Sequence, residues 1–487
     1  MKATRPIILL FFLLLFCYGA KAQGQSRIDV GYAPHDSVVT FASSLYQPNS
    51  FLRRLFMGNN YRKEWQTYVT LPVFYFSQSG FRIKELGGGM QTKSLHVIDS
   101  NGRQWSLRSV DKDVSAALPK GIRRTLVRKA SQDLVSAAFP YGAPIAGELV
   151  NAVGVTAARP QIVYVADDPA LGEFRNLFAG TVCSLEERDP GFDETDNTND
   201  VADKLKSSSR YKIHQPTYLK GRLLDMVMAD WDRHADNWRW GQQDSAGFTY
   251  FYAIPRDRDW VFYKSKGWLP KLVQATGAMR CFIPFDKDLK NVKNLSWKAW
   301  TLDKNFANEL SAADWQAFIK EVQMLLTDSV IEAAVKKMPP QIFAMEGADF
   351  IRNLKSRRDG MQEAVMKYYR FLSEDVSVNG TNEAERFSVT SIGDSLQVIV
   401  SSLSNGQPIY RRSFFPKETF SITLNGYDGA DVFDIDEKAQ SQIRLVINGG
   451  AGADRYTIRG KIKATLNDAD ADGNTVEQRG EAKVNFK

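Results

Sequence analysis

The chain has 487 residues, 43% of them hydrophobic, 24% charged and 12% aromatic, with 34 Gly, 18 Pro and a formal net charge of +7. That profile excludes a disordered, collagen-like or coiled-coil chain, because enough apolar side chains exist to bury real cores. At roughly 150 residues per domain, the length accommodates about three units.

Lys2 and Arg5 precede an apolar run from Ile7 to Cys17, and Ala20-Lys21-Ala22 supplies the small-x-small pattern before Gln23. Residues 1–22 therefore have the form of a secretory signal peptide. The run is about half the length that spans a bilayer. Cleavage after Ala22 removes Lys2, Arg5 and Lys21 and lowers the formal charge from +7 to +4. The mature chain is expected to be exported to the periplasm or outer membrane of a Gram-negative bacterium, or secreted, with no transmembrane segment. A balance of +4 with no basic stripe and interleaved aromatics gives no reason to expect a nucleic-acid partner. Cys183 and Cys281 remain, either as a disulfide or as two buried thiols.

Residues 23–78 form an aromatic extension that ends in the strand-like run Tyr68 to Phe76, interrupted by Pro72. Thr92 to Ile98 and Gln104 to Val110 are β-patterned and joined by Asp99-Ser100-Asn101-Gly102, a hairpin signal. Helices are expected over Gly121 to Ala138 and Ile145 to Val153, then a strand over Gln161 to Val165 and an apolar piece from Leu177 to Leu185. Glu186 to Asp203 holds eight acidic residues and is expected to be a solvated loop.

The following third is helical apart from one β patch. Trp315, Phe318, Ile319, Val322 and Leu326 share one helix face, and Ser311 with Asp314 resembles a capping box. A helix from Val330 to Met338 is expected to stop at Pro339-Pro340. Phe350, Leu354, Met361, Val365, Tyr368 and Leu372 form one apolar stripe that continues past Gly360. From about Asp375 the pattern changes to short alternating strands with Gly, Asn and Asp turns, an all-β domain over residues 375–487.

The densest polar constellation is Asp230-Trp231-Asp232-Arg233-His234-Ala235-Asp236-Asn237-Trp238, after the apolar helical piece Leu223 to Met228. A strand from Phe248 to Ile254 then delivers Pro255-Arg256-Asp257-Arg258-Asp259. Hard oxygen ligands of this kind suit Mg²⁺ or Mn²⁺ carrying a polyphosphate, with one aspartate left to orient a hydroxyl nucleophile.

Asp232-Arg233-His234-x-x-Asn237 is similar to the catalytic loop of phosphatidylinositol kinases. Asp257-Arg258-Asp259-Trp260-Val261-Phe262 resembles the metal-binding segment of atypical kinases, including the spore-coat, secretory-pathway and HipA-type kinases. The resemblance implies Asp232 as catalytic base, His234 as an orienting group, Asn237 and Asp257 as metal ligands, and Asp259 as an additional ligand. Leu86-Gly87-Gly88-Gly89-Met90 resembles a glycine-rich loop that approaches the phosphates of ATP or another nucleotide. Arg108 stands where such kinases carry a lysine, with Lys112 as a substitute and Asp133 as an acidic partner. Leu185-Glu186-Glu187 would be the hinge between an N-lobe at 79–185 and a helical C-lobe at 186–374.

Gly87 to Leu95, Leu107 to Lys112, Pro255 to Asp259 and Lys355 to Gly360 also resemble an uncharacterised region of Bacteroidetes outer-membrane proteins. There it lies between a calcineurin-like phosphoesterase and a surface-antigen barrel, which implies an envelope location and an envelope protein partner.

In the last domain, Gly449 to Tyr456 resembles the calcium-binding nonapeptide of RTX repeats, and Gly426 to Phe433 resembles it less closely. The copies start 23 residues apart instead of nine, so a stacked calcium β-roll is not expected. Asp468-x-Asp470-x-Asp472-Gly473 opens like an EF-hand loop but has Arg479 at position twelve, and calcium in this domain is kept as a second cofactor expectation. The expected whole is an α+β protein: a two-lobed protein-kinase-like domain followed by a small all-β domain. It would transfer a phosphoryl group from a nucleotide to a hydroxyl acceptor, or serve as a non-catalytic envelope binding module. Trp231, Trp238 and Trp240 are expected to pack in the core.

Overall fold

A computed structural model describes residues 36–46, 51–87, 92–114, 126–277, 279–468, 473–478 and 483–486. The signal peptide, Gly88, Gly89, Asp470, Asp472 and Arg479 lie outside the described residues.

The first lobe is built on seven strands: β1 (Ser37–Thr40), β2 (Val69–Phe74), β3 (Arg82–Gly87), β4 (Ser94–Ile98), β5 (Gln104–Ser109), β6 (Gln161–Val165) and β7 (Val182–Glu187). Their order is β1-β2-β6-β7-β5-β4-β3. The expected hairpin is β4–β5. Asp99 closes it by accepting from the N–H groups of Asn101 and Arg103, both at 2.9 Å, and Gly102 takes the left-handed conformation the turn requires.

Period-two alternation divides this sheet into two chemically different faces. Leu95, Val97, Trp105, Leu107, Cys183 and Leu185 are buried on one face with Phe74, Phe81 and Phe178. The opposite face carries the cross-strand row Ser94, Arg108 and Ser184, and beside it the row His96, Ser106 and Glu186. That polar face looks toward the second lobe.

The described part of the aromatic extension belongs to this lobe. β1 and β2 complete its sheet, and Tyr61, Trp65 and Val69 are fully buried in the large core that continues into the second lobe. The described part of the expected helix over Gly121 to Ala138 is a helix from Leu126 to Leu134 and a 3₁₀ turn from Val135 to Ala137.

The second lobe has a small sheet, β8 (Thr195–Asn197), β9 (Tyr211–Ile213), β10 (Trp238–Ser245) and β11 (Phe248–Pro255), in the order β8-β10-β11-β9. The acidic stretch after Glu186 is only partly loop. It contains β8 and a helix from Thr198 to Ser207, because the Asn197 side chain caps that helix by accepting from the N–H groups of Asn199 and Asp200. The capping box of Ser311 and Asp314 opens the helix Ala312–Leu325. The apolar stripe after Pro339 is divided at Gly360 into helices Pro340–Asp359 and Met361–Ser373, whose shared face stays buried. Pro340 opens the first of these, where its missing N–H costs nothing. Trp231, Trp238 and Trp240 are core residues.

The third part contains β12 (Asp375–Asn379), β13 (Glu385–Ile392), β14 (Ser395–Ser402), β15 (Pro408–Phe414), β16 (Ser421–Asp428), β17 (Val432–Ile435), β18 (Gln440–Ala451), β19 (Arg455–Ile458), β20 (Lys461–Asp468), β21 (Thr475–Gln478) and β22 (Lys483–Phe486). One sheet runs β12-β16-β18-β20-β22 and the other β15-β14-β13-β17-β19-β21. β13, β14 and β15 form an antiparallel meander in one sheet, and from β16 onward successive strands alternate between the sheets and pair in parallel, so the chain winds as a two-sheet solenoid.

Here the sequence expectation is corrected. Ser421 pairs with Arg444 and Val432 with Arg455, so the 23-residue spacing is the length of one coil and the glycine-aspartate turns do stack. Two internal ladders hold the coils in register. Asn379, Asn425, Asn448, Asn467 and Asn485 pass side-chain amide hydrogen bonds of 2.8 to 3.1 Å up the stack. Phe387, Phe433 and Tyr456 stack with ring centroids 4.6 and 5.2 Å apart. The turn acids serve the same register: Asp431 accepts from the Glu385 N–H and Asp454 from the Asp431 N–H, each at 2.7 Å.

Candidate functional site

The site begins where the helix Gln215–Val227 ends. Arg357, fully buried, donates to the carbonyls of Met226 and Val227 at 2.7 and 2.6 Å and satisfies the terminal acceptors of that helix. Ala229 then enters the left-handed region at φ +54°, which turns the chain into the polar loop.

Arg233 knots this loop to the segment after β11. Its guanidinium donates to the Arg256 carbonyl at 2.6 Å and to the Asn237 carbonyl at 2.9 Å. The Asn237 carbonyl also accepts from the Arg256 N–H at 2.9 Å, and its side-chain amide donates to the Asp232 carbonyl. Beneath the knot, Asp225 pairs with Arg222 at 2.5 Å, Arg258 at 2.6 Å and Arg233 at 3.3 Å. Burial alone would raise Asp225, but Arg258, Arg233 and Arg222 hold it below the usual carboxylate range. Asp230 behaves oppositely: burial pushes it up to about 6, against the pull of Arg233.

Asp257, at φ +55°, turns its carboxylate toward the polar sheet face. Its Oδ2 lies 2.7 Å from Arg108 Nη1, and Arg108 stands 3.9 Å from Glu186. Burial works to raise Asp257, but Arg108 and Lys112 overcome it and hold the group low. Lys112 pairs with Asp259 at 2.6 Å and lies 4.0 Å from the centre of the Trp260 ring. Burial and the adjacent Asp257 charge push Asp259 up to about 7, with Lys112 opposing. Asp232 faces Lys298 at 2.5 Å and the His234 ring at 3.8 Å. His234, 42% exposed, also lies 3.6 Å from Asp236.

The candidate residues are therefore distributed as follows. Asn237 joins the backbones at Asp232 and Arg256, while Asp257 and Asp259 face Arg108 and Lys112 from the first lobe. Gly87 ends β3 so close to His96 that an added Cβ would fall 2.3 Å from its ring, which explains the absence of a side chain there. Asp133 is corrected: it forms a buried two-point pair with Arg62 at 2.6 and 2.9 Å, and the acids beside Arg108 are Asp257 and Glu186. Lys298 and Arg258 carried no local sequence signal, because their partners Asp232 and Asp225 are distant along the chain.

Between the lobes, Arg108, Lys112, Ser184, Glu186, Asp257 and Asp259 border a cavity of about 40 Å³. Among the described residues, no group of three or more His, Cys, Asp or Glu is arranged to hold a metal ion. One feature fits a cation nonetheless: Asp257 Oδ1 is buried and makes no hydrogen bond. Cys183 and Cys281 are separate buried thiols.

No protein-family model matches the chain, and no curated protein matches it. Among solved structures, the Helicobacter pylori proinflammatory kinase CtkA matches at 10% identity and a TM-score of 0.33, over 62% of this chain and 98% of that one. The Rio2 kinase–ADP/Mg²⁺–phosphoaspartate complex from Chaetomium thermophilum matches at 12% identity and 0.27, over 57% and 70%. A MAP kinase from Leishmania major matches at 11% identity and 0.24, over 60% and 84%. On its own topology, the chain is an α+β protein of two lobes followed by an all-β domain. Among the described residues, no helix is long and apolar enough to cross a membrane.

Proposed function

We propose that the two-lobed unit is a phosphotransferase that moves a phosphoryl group from a nucleotide to a hydroxyl acceptor. The observation that carries this reading is the Asn237 knot, which fixes Asp232 and the Asp257 segment against each other while Arg108 approaches Asp257 from the opposite lobe. Asp232 would accept the proton of the attacking hydroxyl, and His234 would orient it. Asp257, through its unpartnered oxygen, would hold Mg²⁺ together with Asn237, and Asp259 would join them on leaving Lys112. The ion would supply charge neutralisation on the phosphate oxygens. The protein would act outside the cytoplasm, at the cell envelope, as its leading residues suggest. The test is transfer of labelled phosphate from ATP with Mg²⁺ to a panel of hydroxyl acceptors. Asp232→Asn is expected to abolish transfer without lowering Tm, and a retained rate would remove the assigned role.

A second reading, a non-catalytic binding module, is favoured by one observation. Asp257, Asp259 and Asp232 are each paired with a protein cation, namely Arg108, Lys112 and Lys298. If those pairs persist with ligand bound, the carboxylates serve structure and not chemistry. Ligand stabilisation without any transfer would identify this case.

A further inference from the structure

Two short helices that take no part in the interlobe cleft, Phe51–Met57 and Trp268–Ala275, keep large apolar side chains in solvent. Phe51 is 69% exposed and Leu55 55%; Trp268 is 57% exposed and Leu272 48%. Each pair is spaced i, i+4, so each helix shows solvent an aromatic ring and a leucine one turn apart. Both helices are anchored by their other side, where Met57 and Pro270 are buried.

The two segments carry one short pattern written twice. Phe51-Leu52-Arg53-Arg54-Leu55 and Trp268-Leu269-Pro270-Lys271-Leu272 both read aromatic, leucine, any residue, cation, leucine. On a helix this sets the cation about 60° to one side of the aromatic residue. Arg54 and Lys271 are exposed, and among the described residues neither side chain makes a hydrogen bond or an ion pair. The surrounding sequence is free of acid: no Asp or Glu falls between Asp36 and Glu64, or between Asp259 and Asp286.

Backbone contact fixes the helices side by side. A Cβ on Gly58 would fall 2.7 Å from the Gly267 nitrogen, and one on Gly267 would fall 2.3 Å from the Met57 carbonyl carbon. That approach needs glycine on both sides, and Gly58 also stands at φ +92°. Phe56 then meets Trp268 edge-to-face, with ring centroids 5.8 Å apart.

Single exposed apolar residues are ordinary, but a row of them on two helices held together marks an interaction surface. Trp, Phe and Leu on one face, with Lys or Arg beside them, is the composition of helices that lie in a lipid interface. Protein interfaces are depleted in lysine, whereas anionic headgroups attract it. At seven and eight residues, these helices are long enough to lie on a bilayer and too short to cross it.

We propose that the paired helices dock the protein on the surface of an anionic phospholipid bilayer. Phe51, Leu55, Trp268 and Leu272 enter the headgroup boundary, while Arg54 and Lys271 meet the lipid phosphates. The proposal goes beyond the phosphotransferase reading and does not depend on it, because none of these residues borders the cavity between the lobes.

The test is co-sedimentation of the full chain with vesicles of equal parts phosphatidylcholine and phosphatidylglycerol, and with vesicles of phosphatidylcholine alone, at low and high salt. The mixed vesicles are expected to bind at least about tenfold more tightly than phosphatidylcholine alone, and binding weakens as salt rises. Arg54→Gln and Lys271→Gln are each expected to lower binding about fivefold. Leu55→Ser and Leu272→Ser are each expected to lower it about tenfold. Met324→Ser, which removes an exposed apolar side chain from the helix Ala312–Leu325, should change nothing. Trp268→Phe should still bind while losing the part of the tryptophan emission that brominated-chain lipid quenches, and the Tm of every variant shows whether it is folded. No binding to the mixed vesicles, equal binding to phosphatidylcholine alone, or unchanged binding in the folded serine and glutamine variants would each overturn the proposal. So would a chain that is dimeric without lipid and becomes monomeric on Leu272→Ser, which would assign the face to a second copy. Phosphate transfer, present or absent, leaves each of these outcomes unaltered.

Discussion

Arg233 donates to the carbonyl of Arg256 at 2.6 Å across 23 residues of intervening chain, and this bond joins the two segments that carry the candidate chemistry. A fully buried side chain thus ties together the segments that carry the candidate residues.

Arg233→Ala should be costly. The variant removes two carbonyl ties and one of the three cations beside the buried Asp225. Breaking a buried charge network on one side costs about 3 to 5 kcal/mol. Chemical denaturation should show that loss, and Arg233→Lys should recover little, because an ammonium cannot reach both carbonyls and the carboxylate in one plane.

The asparagine ladder makes a positional prediction. Asn448 sits inside it and exchanges side-chain hydrogen bonds with both Asn425 and Asn467, while Asn485, at its end, bonds one asparagine among the described residues, Asn467. At about 1 kcal/mol for each hydrogen bond, Asn448→Ala should destabilise the solenoid about twice as much as Asn485→Ala. Equal effects in thermal unfolding would show that the ladder is not cooperative with the coils.

Asp431 sets a pH dependence. Burial, the largest influence, pushes its carboxyl up to about 8, and one of its oxygens has no hydrogen-bond partner. A raised acid binds its proton more tightly in the folded state, so it favours folding at low pH. That contribution falls as pH rises from the unfolded carboxyl value to about 8. Facing groups that share the field are Glu385 and Asp454. Asp431→Asn should therefore gain in Tm over the unaltered protein progressively across that window and no further above it.

Cys183 and Cys281 should be inert to thiol reagents in the folded protein. Burial pushes Cys183 up to about 12 and Cys281 up to about 11. Both should label at mild alkaline pH only after denaturation, and non-reducing peptide mapping should recover them unlinked.

Local features were legible in the sequence. The β4–β5 hairpin follows from Asp99 and Gly102, and the capping box follows from Ser311 and Asp314, because each acts within a few residues. Arg108 and Asp257 were named as members of one site from motif resemblance, and the structure pairs them directly. Asp133 was misassigned because acidity within a helix does not reveal which basic residue folds back onto it; here that residue is Arg62. The solenoid was missed for a different reason. A 23-residue separation was measured against a nine-residue coil, although the asparagine separations of 46, 23, 19 and 18 mark the coil rungs.

Each inner rung of that solenoid's asparagine file meets its own kind above and below. Along the asparagine file the inner rungs are equivalent, so a whole coil inserted there would find an asparagine above and below its own. The module can thus change length over evolutionary time without any compensating change in the lobes that carry the cleft.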